Sequence, residues 1–168
     1  MNVLETSTQI LDAQAIKRKI KRMALQMAEQ NTGEEHLVLA GIVGHGVVVA
    51  HLLAHELNTI AGIKTDVITI VLDKVNPFMV SIEPAIDLKN KIIIITDDVA
   101  NTGKTMFYAL QPFFSSDIKK IQTAVLVERS HKEFPIQTDY TGLSIATTLQ
   151  EHIAVKTEGE ELAGAWLY

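Results

Sequence analysis

The sequence predicts an α/β fold, a parallel sheet covered by helices on both faces. Short, nearly uninterrupted apolar runs rich in β-branched residues recur along the chain, as expected of strands buried on two faces. Between them, apolar residues return at helical spacing, so strand and helix alternate. The length fits one domain, residues 1–168, with a core of its own. With 47% hydrophobic and 21% charged residues, the composition is that of a folded globular chain rather than a disordered one.

Asp12 is a plausible helix N-cap, and behind it Ile16, Ile20, Met23 and Met27 form an apolar stripe on a helix reaching about Gln30. "HLVLAGIV" reads as a buried strand and "VVVAHLLAHELNTI" as the helix that follows it. "DVITIVL" is a strand, and "PFMVSIEP" is either another or an irregular arm. "KIIIITD" is a strand by its β-branching and too short for a typical helix. "TMFYALQPFF" is a short helix with Pro112 near its end, and "IQTAVLVE" and "EHIAVKT" are further strands.

Several classes are excluded or disfavoured. No apolar run approaches the roughly 18 residues of a membrane helix, and "MNVLETSTQILDAQ" lacks the layout of a secretory signal. The absence of cysteine excludes disulfides and thiolate metal sites and fits a reducing cytoplasm. A net charge of −5 argues against a general nucleic-acid binder, although local basic patches can override a net value.

The densest chemistry lies in "IIIITDDVANTGKT", Ile92 to Thr105. Asp97 and Asp98 stand at the carboxyl end of a central strand, where ligands bind in parallel sheets. Thr102, Gly103, Lys104 and Thr105 turn into the next helix, whose unpaired N–H groups suit a phosphate. Gly103 lets the backbone come close. Carboxylates repel phosphate but accept hydrogen bonds from sugar hydroxyls. The ligand that satisfies both ends is a ribose 5-phosphate, with its phosphate on Thr102 to Thr105 and its 2- and 3-hydroxyls on Asp97 and Asp98. A Walker A loop is rejected, because it needs glycine where Asp98 stands. The alternative of an acidic turn with no ligand leaves two adjacent acids after four isoleucines unexplained.

This stretch resembles the phosphoribosyl-pyrophosphate (PRPP) motif of type I phosphoribosyltransferases. Downstream, "AVLVERSHKEFPIQTDYTGLSIATT" resembles the bifunctional pyrimidine operon attenuator / uracil phosphoribosyltransferase family, as do "AQAIKRKIKRMALQMAEQN" and "LVLAGIVGHGVVVAHLLAHEL" upstream. The resemblance implies the type I fold, a central mostly parallel sheet with a small hood built from the C-terminal segment and the N-terminus. It implies Mg²⁺-dependent transfer of ribose 5-phosphate from PRPP to a pyrimidine base, uracil, with release of pyrophosphate. By position, Asp97 and Asp98 would take the ribose hydroxyls and face the Mg²⁺ that accompanies PRPP. Ala100, Asn101, Thr102, Gly103, Lys104 and Thr105 would cradle the 5-phosphate, and Val43, Gly44, His45 and Gly46 the pyrophosphate. Glu128, Arg129, Tyr140 and Thr141 match the segments that line the base pocket. A homodimer or higher homo-oligomer in the cytoplasm is implied as well, and UMP as the product.

Two departures stand out. The family places a Lys-Thr-Arg-Gly type loop where this chain has "IVGHG", leaving His45 as the one cationic candidate there. The family's long arginine-bearing loop is here the shorter "DKVNPFMVSIEPAIDLKN", with no arginine and Lys74 as its only early basic residue. A second reading follows: a weakly active or inactive PRPP- or UMP-sensing regulator, with RNA as its partner. For RNA, the basic run Lys17 to Arg22 and Lys132 are the candidate contacts, against their reading as a solvated face. His51 and His55 have the i,i+4 spacing of paired zinc ligands, but no third ligand is in view, and a helix-surface role fits them better.

Overall fold

The computed structural model describes residues 7–168. The leader-free reading of the first residues therefore lies partly outside the described residues. In chain order the elements are β1 (Thr8–Asp12), α1 (Ala13–Gln30), β2 (His36–Ile42), α2 (His45–Ala61), β3 (Lys64–Val71), β4 (Ser81–Glu83), β5 (Ile92–Ala100), α3 (Lys104–Ala109), β6 (Lys120–Arg129), β7 (Tyr140–Ile145), β8 (Ile153–Glu158) and β9 (Glu161–Leu167).

The main sheet has six strands in the order β4-β3-β2-β5-β6-β7. All its pairings are parallel except β3 with β4. The four isoleucines explain its layering. Ile92 and Ile94 enter the core under α1 and α2, while Ile93 and Ile95 enter the opposite core with Met106, Ala109 and Phe113. Consecutive strand residues point to opposite faces, so a strand covered on both sides must be apolar throughout. Each such side chain contributes about 1.5–3 kcal/mol by burial.

Helix α1 begins as its sequence indicates: the Asp12 carboxylate accepts the Ala15 N–H at 2.7 Å, and Ile16, Ile20, Met23 and Met27 are buried. The "TMFYALQPFF" segment is divided, α3 ending at Ala109 and a single 3₁₀ turn following at Gln111–Phe113. Pro112 has no N–H to continue the α-helical ladder. "EHIAVKT" is a strand but lies outside the parallel sheet. It pairs antiparallel with β9, which pairs with β1, and this three-stranded hood joins the two ends of the described chain.

Strands β1, β7 and β9 lack a clear sequence signal. β7, "YTGLSI", carries Gly142, where an added Cβ would lie 2.4 Å from the Leu126 carbonyl oxygen. Its glycine answers a close strand approach that sequence alone does not display.

Candidate active site

Strand β5 runs past its isoleucines to Ala100 and delivers both acids to the carboxyl end of the sheet. Asp97 is 4% exposed. Its Oδ1 accepts the Asp98 N–H at 2.9 Å and the Lys74 ammonium at 3.3 Å. Burial, together with the neighbouring Asp98 charge, pushes the Asp97 carboxyl up to about 7 against the pull of Lys74. Asp98 is half-buried; its Oδ1 accepts the Val99 N–H at 2.8 Å and its Oδ2 lies 2.9 Å from His45 Nδ1.

After β5 the chain folds around a small recess of about 60 Å³, lined by Asp97, Val99, Ala100, Asn101, Thr102, Gly103, Lys104, Thr105 and Met106. Every residue expected at the 5-phosphate is therefore in one concavity, with Asp97 at its edge. Gly103 has φ +85°, in the left-handed region that favours glycine. The loop is braced from above: the N–H groups of Glu133 and Phe134 donate to the Thr102 carbonyl at 2.9 and 3.1 Å. The Thr102 hydroxyl accepts the Lys104 N–H at 3.3 Å.

The β2–α2 loop reaches the same acids from the other side. Gly46 is where it meets β5: its carbonyl accepts the Thr96 hydroxyl at 2.8 Å, and a Cβ there would lie 2.7 Å from the Thr96 carbonyl oxygen and 3.2 Å from Asp97 Oδ1. One expectation is corrected here. The Val43 N–H donates to the Ile70 carbonyl at 2.9 Å, so it is not open to an anion. His45 and Gly46, at the start of α2, have N–H groups with no partner one turn back.

At the ends of β6 and β7, Glu128 accepts from Lys132 Nζ at 2.7 Å and from the Thr141 hydroxyl at 3.3 Å. Burial acts to raise the Glu128 carboxyl, but the bonds from Lys132, Thr138 and Thr141 prevail and hold it below its ordinary value. Arg129 donates to Thr147 Oγ1 (2.6 Å), Asn101 Oδ1 (2.7 Å) and the Thr148 carbonyl (2.8 Å), tying the phosphate loop to the segment after β7. Tyr140 is a second correction. It opens β7 opposite Ala124, well back from the carboxyl end of β6, and is 1% exposed. Its hydroxyl bonds to Gln122 Oε1 (3.0 Å) and receives Asn31 Nδ2 (3.3 Å), which makes it a core residue rather than a base contact.

Sequence reasoning singled out Lys74 but not its contact with Asp97, and it gave no role to Asn101 beyond the loop. Lys74 lies three residues past the end of β3, and only the fold brings it across to β5. The candidate RNA contacts are thinned as well. Arg22 donates to the Thr141 and Gly142 carbonyls at 2.9 and 2.7 Å, and Lys132 is held by Glu128 and the Arg129 carbonyl. His51 and His55 are exposed. Among the described residues, no group of three or more His, Cys, Asp or Glu is placed to hold a metal. No described helix is long and apolar enough to cross a membrane.

Residues 6–159 match the family described as phosphoribosyl transferase domain. The chain is 35% identical to "Bifunctional protein PyrR" of Clostridioides difficile over 168 residues, covering 91% of this chain and 94% of that protein. It is 37% identical to the protein of the same name from Ligilactobacillus salivarius, covering 88% and 89%. Among solved structures it is similar to a hypoxanthine-guanine phosphoribosyltransferase of Bacillus anthracis, with TM-score 0.76, 16% identity and coverage of 94% and 96%. A Trypanosoma cruzi hypoxanthine phosphoribosyltransferase gives TM-score 0.73 at 17% identity, covering 83% and 82%. At these identities the structures speak for the fold alone, while the domain match and the closer relatives show the family. The chain belongs to the type I phosphoribosyltransferases, close to the PyrR proteins.

Proposed function

We propose that the protein transfers ribose 5-phosphate from PRPP to a pyrimidine base, uracil, with release of pyrophosphate, in the cytoplasm and as a homodimer or larger homo-oligomer. The observation that carries the reading is one continuous segment, β5 to the start of α3, which sets two carboxylates beside a recess bounded by Thr102, Gly103 and Thr105. Asp97 and Asp98 accept the ribose hydroxyls and fix the sugar, and Ala100 to Thr105 hold its 5-phosphate. With both ends fixed, the anomeric carbon is presented to a base lying toward Glu128, Arg129 and Thr141. Holding the reactants this way removes translational and rotational freedom before bond making.

The donor chemistry fits Mg²⁺ arriving with its substrate: two adjacent carboxylates, with no third protein ligand among the described residues, suit an ion that takes its remaining oxygens from phosphate and water. When bound, Mg²⁺ supplies charge neutralisation for the diphosphate. The assay that tests the reading is PRPP with Mg²⁺ and a panel of labelled bases, scored for nucleotide and pyrophosphate. Formation of UMP from uracil is expected. No nucleotide from any base overturns the transferase reading.

A second reading, a slow or inactive sensor of PRPP or UMP that binds RNA, is favoured by "IVGHG" in place of a basic loop. Lys17, Arg18, Lys19 and Lys21 are then the RNA contacts, since Arg22 and Lys132 are committed elsewhere. RNA affinity should fall steeply with salt as counterions are released. A gel shift showing no complex with a pyrimidine-leader hairpin at low salt, with or without UMP, eliminates it.

A further inference from the structure

Two basic side chains reach the acid pair from different loops, and each sits on a different acid. His45 opens α2 and contacts Asp98; Lys74 follows β3 and contacts Asp97. Neither basic side chain is buried. The Lys74 side chain is 44% exposed and its 3.3 Å contact is long for a charge-assisted bond. What is fixed is the root of Lys74. The Asp73 carboxylate accepts the N–H groups of Val75 (2.8 Å) and Asn76 (3.3 Å), which shapes the turn, and further on the Phe78 ring meets the Tyr108 ring of α3 edge-on at 5.7 Å. The arm is thus anchored on both sides of Lys74, while its four-carbon stem can swing.

We propose that Lys74 is this chain's cation for the diphosphate of a 5-phosphoribosyl 1-diphosphate ligand, held on Asp97 in the ligand-free site and released to the diphosphate when the ribose hydroxyls take the carboxylates. The inference rests on the phosphoribosyl-transfer reading and deepens it. Three physical points support it. The buried Asp97 needs a partner when the site is empty, since an unpaired carboxylate in such a place is costly. A ribose hydroxyl donating to Asp97 competes with the ammonium for the same oxygen. The departing diphosphate needs positive charge on the side of the sugar away from the 5-phosphate recess, where the basic loop is missing and Lys74 and His45 are what the two flanking loops offer.

The test is calorimetry of the whole protein with PRPP and Mg²⁺, and separately with UMP, which has the ribose and the 5-phosphate but no diphosphate. Lys74→Ala and Lys74→Arg are compared with wild type after thermal melts confirm that both fold. Lys74→Ala should weaken PRPP roughly 10- to 100-fold, the range for a hydrogen bond between charged groups. UMP affinity should stay the same or tighten a few-fold, because a competitor for Asp97 is gone. Lys74→Arg should recover most of the PRPP affinity. Equal losses for both ligands would make Lys74 a structural partner of Asp97 and overturn the proposal, as would an unchanged PRPP affinity or no recovery in Lys74→Arg. A wild type that binds UMP but not PRPP removes the diphosphate role and leaves a nucleotide site. A wild type that binds neither defeats the phosphoribosyl reading itself, and this inference with it.

Discussion

The two ends of the candidate site are built differently. The 5-phosphate end is local: Asp97 to Thr105 is one stretch of chain, its turn set by Gly103, its recess closed by the neighbours of its own loop. The proposed pyrophosphate end is assembled from separated segments, the β2–α2 loop and the arm after β3, which converge on the two acids. By the resemblance drawn from the sequence, the local end keeps the PRPP motif and the assembled end departs from the family's basic loop and arginine-bearing arm. On the proposed function, gripping the ribose phosphate and neutralising the departing diphosphate fall to separate pieces of chain, so that one could weaken while the other persists.

The largest expected effect tests the local end. Asp97→Asn with Asp98→Asn should lower affinity for PRPP and UMP about a hundredfold or more, since two charge-assisted acceptors are lost. Calorimetry on the folded double variant checks it, and unchanged affinity would remove the acids from the site.

Asp97→Asn alone has a second consequence, in stability. The folded protein holds a proton on Asp97 up to about pH 7 that the unfolded chain releases near its ordinary value of 3.8. The folded state therefore binds the extra proton between about pH 4 and 7, and wild-type stability falls as pH rises through that window. Asparagine does not titrate. The variant should match or trail wild type at pH 4 and exceed it by roughly 2 kcal/mol at pH 8, less than the full displacement would give at about 1.36 kcal/mol per unit, because contacts to Lys74 and the Asp98 N–H are disturbed. Denaturant melts at the two pH values decide this, and a difference that does not change with pH would refute it.

The assembled end is probed by adding charge. Val43→Lys with His45→Arg should raise turnover on uracil about tenfold, a fraction of the hundredfold or more attached to one well-placed donor. A drop would mean that the His45–Asp98 contact matters more than the added charge. The smallest effect returns to the local end: Gly103→Ala has room, its nearest neighbours being 3.5 Å away, yet should cost about 1 kcal/mol of stability for the positive φ alone.

The same division governs what was legible from the residues. The four isoleucines, the acid pair and the Thr-Gly turn act through neighbours in sequence, so the order of residues already carries their geometry. Asp12 and the α1 stripe were legible for the same reason. Tyr140 was not. Whether it faces the crevice or the core depends on its pairing opposite Ala124, which no local pattern records. The contact of Lys74 with Asp97 and the loss of the Val43 amide to Ile70 likewise depend on which strands become neighbours. The hood was legible as a terminal feature, while β1 and β9 were not, since the small residues of β9 answer the close approach of β1. A Cβ on Gly164 would lie 2.7 Å from the Leu11 carbonyl oxygen.

Arg129 has a thermodynamic consequence. One guanidinium is bonded to Asn101 in the phosphate loop and to Thr147 and Thr148 beyond β7. A ligand that shifts or stiffens either loop changes the bonds available to the other. On the proposed function this would link occupancy of the sugar-phosphate side to that of the base side, and any such linkage is reciprocal: whatever factor the first ligand confers on the second, the second confers on the first. Order of addition becomes a matter of rates, set by which loop is easier to approach, while the cooperative free energy is the same by either route.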